Sequence, residues 1–227
     1  MVFPAGPGAP EGTLAALGRQ ARRPDQVVVL GSGASVHTAL AGECEWLWLL
    51  DHAAVPEPGA LEQLLEAVER TDPPPVLLAS KVVNPDGSLN AGSLPVPEVY
   101  KADQALAALD RRSLAIRVAR RGSLLVHRRG FAAPALADAG WPLRDDIGWT
   151  ARLLKHEPGL LVPSSVVVRP PADGNAEAGS AREVVGWLRL ATGDALEPRE
   201  RPWFAFRFAE RALAALRARL TGLTKRP

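Results

Sequence analysis

The sequence predicts an α/β domain followed by a helical C-terminal tail, and three observations lead there. Short apolar runs recur at Val27–Leu30, Trp46–Leu50 and Val76–Ala79. They have the length of buried strands and are bounded by turn residues. Helical periodicity lies between them, most clearly from Ala60 to Arg70, and from Arg182 to Leu220 it dominates, with a break at Pro198–Pro202. Strands alternating with helices imply a sheet with parallel neighbours.

Taken in order, Val2–Ala5 suits a very short first strand, and Glu11–Gln20 a helix with Leu14 and Leu17 on one face. Val27–Leu30 reads as a buried strand. The Gly31-Ser32-Gly33-Ala34-Ser35 loop after it has the composition to offer backbone N–H groups to a phosphate. It equally suits a plain strand-to-helix turn. Trp46–Leu50 is apolar on both faces, as a central strand requires, and it ends at Asp51. The carboxyl ends of parallel strands are where ligands bind in open α/β sheets. Pro56 and Pro58 fix a turn, and Pro58 or Gly59 opens the Ala60 helix.

Thr71-Asp-Pro-Pro-Pro75 is a rigid break before the strand Val76–Ala79, and Asp86-Gly87 between apolar flanks marks a hairpin turn. Asn90–Leu109 reads as a loop and a short helix. Ala115–Ala119 and Gly122–Val126 read as strands, and Arg128 starts a helix running to about Ala139. Asp145 and Asp146 stand where a helix begins, a position that favours carboxylates; a plain cap pair is the alternative to a catalytic one. The domain is expected to span 1–170, with a loop at 171–181 and the helical tail at 182–227.

Composition excludes several classes. The 227 residues carry 27 basic and 25 acidic side chains, so net charge alone points to no nucleic-acid partner. The single Cys44 rules out an internal disulfide and is read as a packing residue. No apolar run approaches the ~20 residues of a membrane span, and the N-terminus is not expected to be a secretory signal. Gly31-x-Gly33 is not continued by a glycine at position 36, as a dinucleotide fold would want. The Gly-x-Ser-x-Gly of serine hydrolases is absent, and the four histidines show no metal-ligand spacing.

Five blocks in the right order resemble the family-2 glycosyltransferases. They are helix-x-Gln-x-x-Arg-Pro-Asp before Val27, the Trp46–Leu61 strand, turn and helix, Lys81-Val-Val-Asn-Pro-Asp-Gly, Ser123–Gly130, and Arg144-Asp-Asp-Ile-Gly-Trp-Thr-Ala-Arg152. The resemblance implies a GT-A-like, Rossmann-type mixed sheet flanked by helices. It implies transfer of a sugar from a nucleotide-sugar to a polysaccharide, glycolipid or other cell-envelope acceptor. It also implies a divalent cation, Mg²⁺ or Mn²⁺, held in part by Asp51. Asp146, with Asp145 as second choice, takes the place of the base that deprotonates the acceptor. Asp51, His52, Lys81, Arg169 and Ser32 fall on the donor side.

The scaffold of the pattern is kept and its chemistry is altered. Gly31 and Ser32 replace an acid, Ala53 replaces the last acid after the strand, Gly148 replaces a glutamate, and Arg169 replaces a metal-binding histidine. Two readings follow. In one, Arg169, with Lys81, supplies the positive charge that a metal would and the enzyme needs no cation. In the other, the chain is an inactive homologue that binds a partner or acts as a scaffold. The tail helix, with Arg207, Glu210, Arg211 and Arg217 on one stripe, suits either packing on protein or peripheral contact with a membrane. The expected location is the cytoplasm, peripheral at the inner face of the plasma membrane.

Overall fold

The structure is a computed structural model and describes residues 2–5, 11–29, 43–98, 106, 108–110, 112–120, 122–131, 146–170, 181–193, 195–206, 209 and 213. The chain divides into two compact units, Met1–Pro170 and Pro171–Pro227.

In the first unit the elements follow as β1 (Val2–Ala5), α1 (Glu11–Gly18), β2 (Trp46–Asp51), β3 (Val55–Pro56), α2 (Ala60–Glu69) and β4 (Leu77–Val83). After a 3₁₀ turn at Ala91–Ser93 come β5 (Val96–Pro97), β6 (Leu114–Val118) and β7 (Ser123–His127). A second 3₁₀ turn at Arg128–Phe131, α3 (Asp146–Leu153) and β8 (Gly159–Val168) complete it.

The strands form one mixed sheet in the order β1-β2-β7-β4-β8-β6-β5, with β3 added to β8. β1 is parallel to β2, and β4 to β8, while β7 lies antiparallel between β2 and β4. The four strands β1, β2, β4 and β8 therefore finish at one edge, at Ala5, Asp51, Val83 and Val168.

Each face of the sheet buries its own core, as alternation along a strand requires. On one face Trp48, Leu50, Leu78, Leu125, Val162 and Val167 meet α2. Helix α2 offers Leu61, Leu64, Leu65 and Val68 at the spacing that puts them on one side. On the other face Leu77, Ala79, Leu124, Val126 and Ile116 meet Trp149, Leu153 and Leu154 of α3 and the turn after it. Helix α1 is tied in by side chains. Thr13 Oγ1 donates to the His52 carbonyl (3.1 Å), and buried Gln20 bridges the Glu57 carbonyl (2.8 Å) and the Leu61 N–H (3.1 Å).

A line of buried hydroxyls crosses the α2 face. Trp48 Nε1 donates to Ser123 Oγ (2.8 Å), which lies 2.6 Å from Ser80 Oγ; Ser80 lies 2.8 Å from Ser165 Oγ, which donates to the Ala60 carbonyl (2.9 Å). An indole N–H only donates and a carbonyl only accepts, so each hydroxyl must pass its proton onward in that order. The line joins β2, β7, β4, β8 and the first residue of α2, and it satisfies polar atoms that are otherwise costly to bury.

Some expectations are corrected. Val27–Val29 do not form a buried strand: Val27 and Val29 are 40% and 45% exposed, and Val27 makes an isolated bridge only, while Leu30 lies outside the described residues. An apolar β-branched run becomes a strand only where a neighbour pairs and covers it, and β1 holds the place beside β2. Trp46–Asp51 is, as expected, an interior strand buried on both faces, and β4 is the middle strand of the order. Where a helix was expected from Arg128 to about Ala139, Arg128–Phe131 form a 3₁₀ turn, and 132–139 lie outside the described residues. At Asp86-Gly87 the turn is present, with Gly87 at φ +82° and Asp86 accepting from the Ser88 N–H and hydroxyl, which hold its carboxyl below the usual value. It closes on one bridge, Val83 to Leu89, rather than on two strands.

Ser80→Ala interrupts the hydroxyl line at its middle and is expected to cost about 1–3 kcal/mol in urea unfolding, whereas Ser88→Ala on the exposed turn costs less than about 1 kcal/mol. Equal effects would mean that the line carries no special stability.

Candidate functional site

Asp51 ends β2 at the edge where the parallel strands finish. Its own N–H donates to the Gly122 carbonyl (3.0 Å), and its carbonyl accepts from Ala54 N–H (2.9 Å). The turn this makes sends the chain into β3, which pairs Val55 with Val168 at the end of β8. Arg169 follows directly, and its N–H donates to the Val83 carbonyl (2.8 Å). Two residues 118 positions apart are thereby brought side by side.

Their side chains meet as a buried ion pair. Arg169 Nη2 lies 3.2 Å from Asp51 Oδ2, with the two side chains 8% and 6% exposed. Asp51 Oδ1 accepts the Ala53 N–H (3.1 Å) and lies 3.0 Å from Nδ1 of the exposed His52. Arg169 Nη1 donates to Ser93 Oγ (3.3 Å). Ser93 also sits against Gly122, whose φ is +149°. A Cβ on Gly122 would lie 2.9 Å from Val82 Cγ2, so a glycine is needed where β7 begins.

A divalent cation does not fit these residues. Both Asp51 oxygens are engaged, one by a cation, and Arg169 brings a fixed positive charge to the place where the sequence pattern leads to a histidine ligand. Among the described residues no group of three His, Cys, Asp or Glu side chains could hold a metal ion. Asp51 as a metal ligand is therefore not what this arrangement offers.

Of the other residues singled out in the sequence, Asp146 opens α3. The helix ends with Leu153 and Leu154 over Val76 and Gly159, at the starts of β4 and β8. Its first residue lies about 10 Å back along the helix axis from Leu153. Thr150 Oγ1 fixes this turn, donating to the Asp146 carbonyl (2.8 Å) or the Ala119 carbonyl (2.8 Å) and accepting the Ala119 N–H (3.1 Å). Gly148 is buried within the helix. Lys81 is half-buried on β4, on the face opposite Ser80, and among the described residues its side chain makes no hydrogen bond or ion pair. The structure does not join it to Asp51. Ser32 and Asp145 lie outside the described residues.

Sequence reasoning missed Ser93 and Gly122. The glycine before the strand Ser123–Val126 was a usable signal; nothing local marks Ser93. A cavity of 660 Å³ lies elsewhere, beside Arg22, Glu45, Trp46 and Glu66 at the start of β2, and includes none of the residues around Asp51.

Removing one partner of a buried pair strands the other charge, so Asp51→Asn and Arg169→Met are each expected to cost about 3–5 kcal/mol in denaturant unfolding. The double variant should cost clearly less than the two losses added together. Additivity to within about 0.5 kcal/mol would show that the two side chains do not act as a pair.

No family model and no curated protein sequence matches the chain. Solved structures do. TarS of S. aureus (residues 1–349) in complex with UDP is similar with a TM-score of 0.57 at 10% identity, over 94% of this chain and 71% of that one. The same protein in complex with UDP-GlcNAc gives a TM-score of 0.58 at 10% identity, over 94% and 72%. GalNAc-T7 with UDP, GalNAc and Mn²⁺ gives 0.52 at 9% identity, over 84% of this chain and 48% of that one. These neighbours are GT-A glycosyltransferases, and the mixed sheet flanked by helices described above is the fold this chain shares with them.

Proposed function

We propose that this protein binds a nucleotide-sugar at the edge holding Asp51 and Arg169, and transfers the sugar without a divalent cation. The observation that carries this reading is the buried Arg169–Asp51 pair at the carboxyl edge of the sheet; on this reading its guanidinium takes the part of the metal ion and neutralises the diphosphate. Arginine suits that task because its planar fork can hold two phosphate oxygens at once. The fold, and the UDP and UDP-GlcNAc bound by the TarS structures, support a nucleotide-sugar as the partner.

In the reaction, the acceptor hydroxyl oxygen attacks the anomeric carbon and the bond from that carbon to the diphosphate breaks. The hydroxyl proton passes to a carboxylate, Asp146 first and Asp145 second, and the nucleoside diphosphate leaves with its electron pair. Arg169 stabilises the charge that develops on the leaving group, with the Ser93 hydroxyl beside it. Asp51 serves as the resting counter-ion of Arg169, and Lys81 and Ser32 are further donor-side candidates. The acceptor is a cell-envelope polysaccharide, glycolipid or other lipid-linked carbohydrate, met from the cytoplasm at the inner face of the plasma membrane.

A second reading is favoured by the burial of both partners of the pair. Two charges that neutralise each other out of water also make a structural strut. In that case the chain is a catalytically inactive homologue that binds a partner.

Calorimetric titration with UDP, GDP and dTDP separates the two. The expected result is binding in EDTA, unchanged by Mn²⁺, and weakened about tenfold or more in Arg169→Ala. Binding that requires Mn²⁺ would overturn the metal-free reading, and no binding to any nucleotide would favour the inactive homologue.

A further inference from the structure

The cavity beside Trp46 is a groove that runs along α2. Its volume is 660 Å³, within the range of sites that take a ligand or a partner's side chains. Leu61, Glu62, Leu65, Glu66, Val68 and Glu69 of α2 line it. From Leu61 to Glu69 it therefore follows the helix for about 12 Å, more than two turns. The connection Arg22–Asp25 and the entry to β2 at Glu43–Trp46 supply the other walls. Leu61, Leu64 and Ala67 are buried under the helix. Leu65 and Val68 are only half-buried, and with half-buried Trp46 they form the accessible apolar floor. The groove lies at the start of β2, and Asp51 at its end.

The charge of this groove is the reverse of the chain's. The protein carries +2 overall, yet six acids line the groove against two basic residues, Arg22 and Arg23. Glu66 is engaged by Arg70 (3.0 Å), and Glu45 lies 3.5 Å from His127 Nε2. Glu62 and Glu69 are exposed, and among the described residues their side chains make no hydrogen bond or ion pair. Leu61, Leu65 and Val68 follow one another at steps of four and three, the spacing of a coiled-coil seam. Glu62 and Glu69, seven positions apart, each stand beside that seam, where acids in such packing meet basic residues of the other helix.

We propose that this groove is the docking site for a basic amphipathic helix of a partner protein. Apolar side chains of that helix rest against Trp46, Leu65 and Val68, and its lysine or arginine side chains meet Glu62 and Glu69. Both the apolar floor and the acidic rim find their match in such a helix. A nucleic acid would be repelled by the carboxylates. A second copy docked two-fold through the same groove would set acids against acids. A small inorganic cation would leave the apolar floor in water. The inference goes beyond the proposed sugar transfer. The groove and Asp51 stand at opposite ends of β2, and docking holds whether or not Arg169 receives a nucleotide.

The test is fluorescence anisotropy of labelled peptides of about 15 residues, long enough to cover the groove, titrated with the full chain. The first peptide has leucine at heptad a and d positions and lysine elsewhere; the second has glutamate in place of lysine, and the third alanine in place of leucine. The first is expected to bind about tenfold or more tighter than either of the others. Glu62→Lys with Glu69→Lys is expected to weaken it about tenfold or more. Glu11→Lys with Asp110→Lys changes the net charge equally at exposed positions that do not line the groove, and is expected to leave binding within about twofold. All four sites are exposed, so circular dichroism should confirm an unchanged fold in both variants. No binding of the first peptide, or equal binding of either of the others, would overturn the inference. So would equal losses in the two double variants, since net charge alone would then account for binding. Self-association of the parent chain that Glu62→Lys with Glu69→Lys abolishes would also overturn it, by assigning the groove to a second copy.

Discussion

Two opposite charges that are both out of water have to satisfy each other, and the site edge of this fold is built around that constraint. Asp51 and Arg169 are nearly fully buried and 3.2 Å apart. The surrounding backbone is arranged to keep them so. Gly122 accepts the Asp51 N–H from the start of β7, Val83 accepts the Arg169 N–H from the end of β4, and β3 returns the chain from one residue to the other. Desolvation makes such a pair expensive to form and more expensive to break on one side. The arrangement thus fixes a positive and a negative group side by side at the carboxyl edge of the sheet.

The rest of the first unit serves as a rigid mount for that edge. Each face of the sheet has a buried apolar core, and the face under α2 also holds the hydroxyl line from Trp48 to the Ala60 carbonyl. A closed line of donors and acceptors has only one satisfied arrangement, so it sets the register of four strands against the start of α2. Thr13 and Gln20 then tie α1 to the carbonyls of His52 and Glu57, on either side of the turn after Asp51. Packing energy distributed over the whole sheet is in this way used to place a few atoms.

Much of this scaffold was legible in the sequence, because it rests on local signals. Trp46–Leu50 followed by Asp51 gave the strand and its acid. Pro58-Gly59 with the Leu61, Leu64, Leu65 and Val68 spacing gave α2, and Asp86-Gly87 gave a turn. Val27–Leu30 misled because strand propensity says nothing about whether a partner strand stands alongside. The altered motif residues marked Asp51 and Arg169 as unusual, yet no local rule states that they touch, since 118 positions separate them. Ser93 and the serines of the hydroxyl line were invisible for the same reason: a buried serine is specified by a partner far along the chain. The position of Lys81 was readable only once the strand alternation was known, and it then fell on the face opposite Ser80.

The most direct test of a cation-free anion site is the thermal unfolding of Asp51→Asn in EDTA, with and without inorganic pyrophosphate. The asparagine keeps the acceptor for the Ala53 N–H and removes the counter-ion of Arg169. If Arg169 is the group that receives a diphosphate, the variant melts below the parent protein, and pyrophosphate raises its Tm by more than it raises that of the parent, because the added anion replaces the missing charge. A variant whose Tm ignores pyrophosphate, or responds only when Mn²⁺ is present, would contradict a guanidinium acting in place of the metal.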